Sequence, residues 1–259
     1  MNILDRFRLD GKRLFVTGGS RGLGREMVLA LASAGADVVL SARDPSSLEQ
    51  TVAEIRQLGR VAIPIPADMG DMTDCERACQ AALQHGPIDI LINNVGGRRV
   101  NIPTAELPLE TWRELIDLNL TSTFLCTRIL GGEMVRRGDG GRIINIASIS
   151  GMITNRGIGG RCYETAKAAV IQFTRATAAD WAPARVTVNA ICPGMFMTEP
   201  NQRWKRDHPE VIEAAESQIP MGEFGQAEDL GPLAVYLASD AARYVTGAAV
   251  VIDGGYTLW

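Results

Sequence analysis

Short apolar blocks alternate with stretches of helical spacing along the whole chain. Lys12–Thr17 (KRLFVT) reads as a buried strand, Gly18–Gly24 as a glycine-rich turn, and Arg25–Ala34 (REMVLALASA) as a helix that ends before Gly35. Asp37–Ser41 is a second strand, and the helix from Pro45 to Gly59 opens with proline and closes with glycine, as helix ends prefer. Further strands are predicted at Val61–Pro66, Ile88–Ile92, Arg142–Ala147, Val186–Ile191 and Ala248–Ile252. Helices are predicted at Asp71–Leu83, Leu109–Arg137, Glu164–Trp181 and around Ala227–Ala238, with an irregular segment from Pro193-Gly194 to about Ser217. Strands joined by helical crossovers of this length pair in parallel, so the expected class is α/β: a doubly wound sheet of about seven parallel strands with helices on both faces.

No linker or charge block interrupts the alternation, which predicts a single domain over residues 1–259, with a lid at about 195–217. Sheets of this kind bind ligands at the carboxyl ends of their strands, so the residues just after each strand carry the candidate chemistry. Gly18, Gly19, Ser20, Arg21, Gly22, Leu23 and Gly24 lie between the first strand and helix. There, glycines permit a tight turn and let backbone N–H groups approach a pyrophosphate at the helix N-terminus; a purely structural turn is the alternative. Where many dinucleotide folds place an acid to hold ribose hydroxyls, the second strand ends in Ser41-Ala42-Arg43. Arg43 with Arg21 suits the 2′-phosphate of NADP, against the reading of Arg43 as a solvated residue before an Asp-Pro turn; charge-assisted hydrogen bonds of this kind are worth roughly 1.5–3 kcal/mol each. Asp68 and Met69 follow the third strand and are placed for an adenine edge, and Asn94 and Gly96 follow the fourth, although Asp, Asn and Gly are also common turn residues.

Ser148 follows the fifth strand, and Tyr163 and Lys167 stand four apart on one face of the next helix. An ammonium ~4–5 Å from a phenol favours the phenolate by roughly 3–4 kcal/mol at an effective dielectric of ~20, enough to bring the phenol toward general acid-base range. Ser148 is placed to hydrogen-bond a substrate oxygen. Asn119, polar within an apolar stretch, is suited to hold Lys167 or a bridging water, or else to satisfy a kinked helix.

Composition removes other classes. The 259 residues carry 26 Lys and Arg against 30 Asp and Glu, a net charge of -4 without a basic face, so nucleic acid is not an expected partner. No stretch approaches the ~18–20 apolar residues of a membrane span, and Met1–Arg13 lacks a signal-peptide core; the expected location is the cytoplasm. Five cysteines, an odd number, point to reduced thiols. Cys75 and Cys79 can share a helix face, but His85 and His208 are the only histidines and lie far from them, so no metal site is expected.

Taken together, these motifs resemble the compact single-domain branch of the short-chain dehydrogenase/reductase family from about Gly11 to Gly255. The resemblance implies a Rossmann-type sheet and a tetrad of Asn119, Ser148, Tyr163 and Lys167, with Lys167 also on the nicotinamide ribose and Pro193, Gly194 and Thr198 against the nicotinamide. It implies an NADP-dependent alcohol–ketone oxidoreductase that prefers NADPH over NADH, acts on a small molecule and assembles as a homotetramer through the helices near Leu109–Arg137 and Glu164–Trp181 and the segment Tyr256–Trp259. Val95 in place of the usual alanine, Glu223 in place of a frequent arginine and a long Ser148–Tyr163 segment depart from the pattern. Asn-Asn-Val-Gly-Gly-Arg-Arg, Ala-Asp-Trp-Ala-Pro and Asp-Gly-Gly-Tyr-Thr look most like the sugar-acid dehydrogenases of that family, with the 3-oxoacyl carrier-protein reductases as the alternative. Arg98, Arg99, Arg156 and Arg161 near the expected mouth are candidates for a substrate carboxylate or simply solvated. Apolar residues in the lid also suit a bulky ketone, and a catalytically idle NADP-binding protein is the contrasting class.

Overall fold

A computed structural model describes residues 2–154 and 161–258. In chain order it runs β1 (Arg13–Thr17), α1 (Gly22–Ser33), β2 (Asp37–Ala42), α2 (Pro45–Gln57), β3 (Ala62–Pro66), α3 (Met72–Leu83) and β4 (Ile90–Asn93). Next come α4 (Leu109–Ile116), α5 (Ser122–Cys126), α6 (Gly132–Arg137), β5 (Gly141–Ile146), α7 (Cys162–Trp181) and β6 (Val186–Pro193). The last part holds β7 (Phe196–Met197), α8 (Glu199–Asp207), α9 (Pro209–Glu216), β8 (Gly225–Gln226), α10 (Leu230–Ala238) and β9 (Ala249–Ile252).

Seven strands form one sheet in the order β3-β2-β1-β4-β5-β6-β9, every neighbouring pair parallel, while β7 and β8 form a separate two-stranded pair. The strand order reverses between β1 and β4, which opens a crevice at their carboxyl ends. Pro64 and Pro66 lie in β3, an edge strand, where a missing N–H is tolerated. The strands are buried on both faces because alternate residues serve two cores. Leu14 and Val16 join Met27, Leu31 and Leu230 on one side. Phe15 joins Leu91, Leu125 and Val188 on the other.

The sequence-predicted order of elements is present, with ends shifted by up to three residues. Two differences are larger. The stretch 109–137 is helical throughout, but π-type turns at Asp117–Thr121 and Thr127–Gly131 divide it into α4, α5 and α6. The segment expected to be irregular carries β7, α8 and α9; Pro200 and Pro209 sit in the first turns of those two helices, where proline starts a helix rather than breaking it. No helix among the described residues is long and apolar enough to cross a membrane.

Candidate active site

At the end of β1 the backbone N–H groups of Gly18 and Gly19 both donate to the Ser41 carbonyl, 2.8 and 3.1 Å away, tying the turn to β2. Gly18 has a φ of 68°, a left-handed conformation that glycine adopts without cost. A Cβ on Gly24 would stand 2.1 Å from the Gly18 carbonyl oxygen and 2.5 Å from Asn94 Nδ2, so the first turn of α1 closes onto the loop only because that position is bare. Asn94 completes the staple: its Nδ2 donates to the Thr17 and Gly18 carbonyls at 3.0 and 3.1 Å, and its own N–H donates to Thr17 Oγ1 at 2.9 Å. Arg21 caps α1 in extended geometry without a side-chain hydrogen bond to the helix, which leaves the first-turn N–H groups and the positive end of the helix dipole for an anion.

These residues border a cavity of about 640 Å³ at the strand carboxyl ends. Gly18, Ser20, Arg21, Leu23 and Gly24 line its first part, Arg43, Asp68 and Met69 one end, and Asn94, Gly96, Pro193 and Gly194 the rest. Ser148, Tyr163 and Lys167 line the same cavity. Gly22, Asn119 and Thr198 are not part of its lining; Gly22 serves the turn through its φ of 53°, and Thr198 caps α8. Bare α-carbons and free helix-end donors are what a pyrophosphate requires, so the residues fit a dinucleotide. Arg43 lies 3.7 Å from Asp68, an exposed pair that sequence alone did not indicate. Ser47, from the first turn of α2, also lines this end and hydrogen-bonds Ser20 Oγ at 3.1 Å. Its placement two residues after Pro45 was the available signal.

At the other end, Ser148 follows β5, its Oγ accepts from the Ser150 N–H at 3.1 Å, and it lines the cavity together with Tyr163. A Cβ on Gly151 would meet the Lys167 backbone at 2.6 Å, so the turn carrying Ser148 packs directly on α7. Burial pushes the Tyr163 phenol up; the Ser148 hydrogen bond and the Arg98 charge pull it down, and Glu164 opposes them. Lys167 Nζ donates to the Ile146 carbonyl at 2.8 Å and lies 5.8 Å from the centre of the Tyr163 ring. Its burial brings the ammonium down from 10.5 to about 8. Asn119 sits in the first π-type turn, a local widening that is frequent at functional sites. Its Oδ1 accepts from Gly97 N–H at 2.8 Å and its Nδ2 donates to the Gly97 and Leu115 carbonyls, which fixes the loop after β4. A Cβ on Gly96 would lie 2.7 Å from Asn119 Oδ1 and 2.8 Å from Lys167 Nζ, so a single bare carbon separates the two groups.

The arginines expected at the mouth do not act alike. Arg99 lines the cavity, with an unusual φ of 57°. Arg98 and Arg161 instead meet on the nearly buried carboxylate of Glu164, a residue that sequence reading passed over despite its place next to Tyr163. Arg156 lies outside the described residues, as do all of residues 155–160 in the Ser148–Tyr163 segment. Away from the cavity, Cys75 and Cys79 are joined by Cys126, with both sulfur contacts to it at 3.6 Å in the core between α3 and α5. Cys126, 47 positions on from Cys79, gave no sign in the sequence of joining this pair, and helix packing alone brings it in.

Residues 18–257 match a family model described as enoyl-(acyl carrier protein) reductase. The chain is 39% identical over 253 residues to galactitol 2-dehydrogenase (L-tagatose-forming) of Cereibacter sphaeroides, covering 98% of each. It is 38% identical to 2-dehydro-3-deoxy-D-gluconate 5-dehydrogenase of Bacillus subtilis (strain 168), covering 97% of each. Among solved structures, the Pseudomonas aeruginosa RhlG/NADP active-site complex superposes with a TM-score of 0.89 at 33% identity, over 97% of this chain and 98% of that one.

Proposed function

The chain belongs to the short-chain dehydrogenase/reductase family, oxidoreductases acting on CH–OH groups, and from that premise we propose that it is a sugar-acid or polyol dehydrogenase that prefers NADPH to NADH. The observation that carries this reading is one cavity that joins the bare-backbone cradle of α1 to Ser148, Tyr163 and Lys167. When bound there, the nicotinamide supplies or accepts the hydride. Arg21, Arg43, Ser20 and Ser47 hold the adenosine phosphate end, and Gly18, Gly22, Leu23 and Gly24 offer their backbone to the pyrophosphate. Asp68 and Met69 border the adenine, Asn94 and Gly96 keep the floor open, and Pro193, Gly194 and Thr198 border the nicotinamide.

Ser148 donates a hydrogen bond to the substrate oxygen and orients it. Tyr163 gives its proton to that oxygen during reduction and takes it back during oxidation. Lys167 holds positive charge behind the phenol and reaches the nicotinamide ribose, and Asn119 fixes the loop that borders Lys167. Arg99, which has no ion pair among the described residues, faces the substrate carboxylate or hydroxyls. The segment 195–217, with α8 and α9, serves as the lid, and residues 1–259 act as one domain. The same reading makes the protein a cytoplasmic homotetramer joined through α5 and α7, where the exposed Phe124 is available for a second copy.

Absorbance-monitored oxidation of NADPH and NADH against 5-ketogluconate, an acetoacetyl thioester and a bulky cyclic ketone tests this. Fastest NADPH oxidation with the keto-acid is expected. Preference for the thioester or the cyclic ketone transfers the substrate assignment to those classes, and cofactor binding without turnover of any ketone refutes the catalytic reading.

A further inference from the structure

Arg98 and Glu164 are 66 residues apart, yet the guanidinium meets the carboxylate as a fork, with Nη1–Oε2 at 3.0 Å and Nη2–Oε1 at 2.8 Å. Glu164 is only 8% exposed, and Arg161 holds the same carboxylate at 3.1 Å. A carboxylate buried to this degree beside a reacting centre needs its partners, and a bidentate fork fixes the plane of the guanidinium as well as its place. The result is an Arg98 Cζ 4.9 Å from the centre of the Tyr163 ring. Arg98 is not part of the cavity lining, whereas its neighbour Arg99 is. The pair is therefore built against the tyrosine rather than toward the substrate.

We propose that Arg98, fixed by Glu164, is a positioning residue for Tyr163: a permanent cation over the ring that stabilises the phenolate, so that proton transfer at the Tyr163 oxygen does not depend on Lys167 alone. This rests on Tyr163 being the acid-base group. Among the described residues, the charged and titratable groups around the phenol are Arg98 and Arg99 from the loop after β4, Arg161, Glu164 and Lys167 from α7 and its N-terminus, and Cys192 of β6, which interacts with Lys167. Of these, Lys167 gives up its proton near 8 because it is buried, whereas a guanidinium keeps its charge across the neutral and moderately alkaline range. Arg98 acts on the phenol more strongly than the opposing Glu164 does. Division of labour follows: Lys167 supplies a charge that titrates, and Arg98 one that does not.

The test is the ionisation of Tyr163 in the NADP-bound protein, read by tyrosinate ultraviolet absorbance as the difference from Tyr163→Phe, which needs no substrate. Arg98→Gln is expected to weaken that ionisation at least about tenfold, one pH unit upward, and Arg98→Lys to restore most of it. The alkaline limb of kcat should move with it while NADPH affinity stays within about twofold. If Arg98→Gln leaves Glu164 too exposed to its own charge to fold, Arg98→Gln with Glu164→Gln removes both charges and should still move the titration upward, by less. Unchanged Tyr163 ionisation in a folded variant overturns the proposal. So does a rise in KM confined to anionic ketones with the tyrosine titration unmoved, which would make Arg98 a substrate-binding group. Failure of the wild-type protein to turn over any ketone would count against the catalytic reading instead, and the spectroscopic titration separates the two.

Discussion

Lys167→Met should make the protein more stable near neutral pH, and the gain should fade as the solution becomes alkaline. Burial brings the Lys167 ammonium from 10.5 down to about 8, because the charged form loses its water and gains, among the described residues, one carbonyl, that of Ile146. Below about 8 both the folded and the unfolded chain hold the proton, so the full cost of a buried charge is present. Between about 8 and 10.5 the unfolded chain still holds a proton that the folded chain has released, and wild-type stability rises through that window; above it the cost is gone. At ~1.4 kcal/mol per pH unit this amounts to about 3 kcal/mol, or roughly 6–12 °C in Tm for a chain of this size. Methionine keeps the length and apolar stem and never titrates. The loss of the bond to Ile146 adds an offset that does not depend on pH. Urea unfolding of both proteins, repeated from neutral pH to about 10.5, should therefore show the gap between variant and wild type shrinking by about 3 kcal/mol in that window. A gap that stays constant would mean that Lys167 is not destabilised by burial, and that its proton is held as firmly as in water.

Tyr163→Phe keeps the ring beneath Arg98 but removes the hydroxyl; turnover should fall by a factor of 10² or more while NADPH binding, followed by fluorescence, stays within about threefold. Retained turnover would remove Tyr163 from the acid-base role. Arg43→Ala should weaken NADPH roughly 10- to 150-fold and NADH little, since the side chain is half exposed and its one ion-pair partner among the described residues is Asp68 at 3.7 Å; equal weakening by calorimetry would refute the 2′-phosphate assignment. Gly24→Ala places a methyl 2.1 Å from a backbone carbonyl that cannot swing aside, so it should cost about 1–3 kcal/mol of stability and at least tenfold in NADPH affinity, whereas wild-type values for both would mean that the turn is not a tight cradle.

Much of the site was legible because local chemistry encodes it. Glycines at 18, 22 and 24 read as a turn with free backbone donors whatever surrounds them, and the four-residue spacing of Tyr163 and Lys167 puts both on one helix face. The helices of the segment 199–216 were missed because α8 is polar almost throughout, so that only Pro200 and Pro209 announced them.

The sequence by itself determined the parallel doubly wound sheet and the positions of the strand-end residues, because hydrophobic period and turn chemistry act over a few neighbouring residues. Only the tertiary structure decided which distant groups meet. It set Arg98 on Glu164 and over Tyr163, gave Asn119 to the Gly97 backbone instead of Lys167, and brought Cys126 to Cys75 and Cys79. Such contacts depend on how helices pack against the sheet and on the side-chain shapes between them, and these are properties of the whole core that no local pattern records.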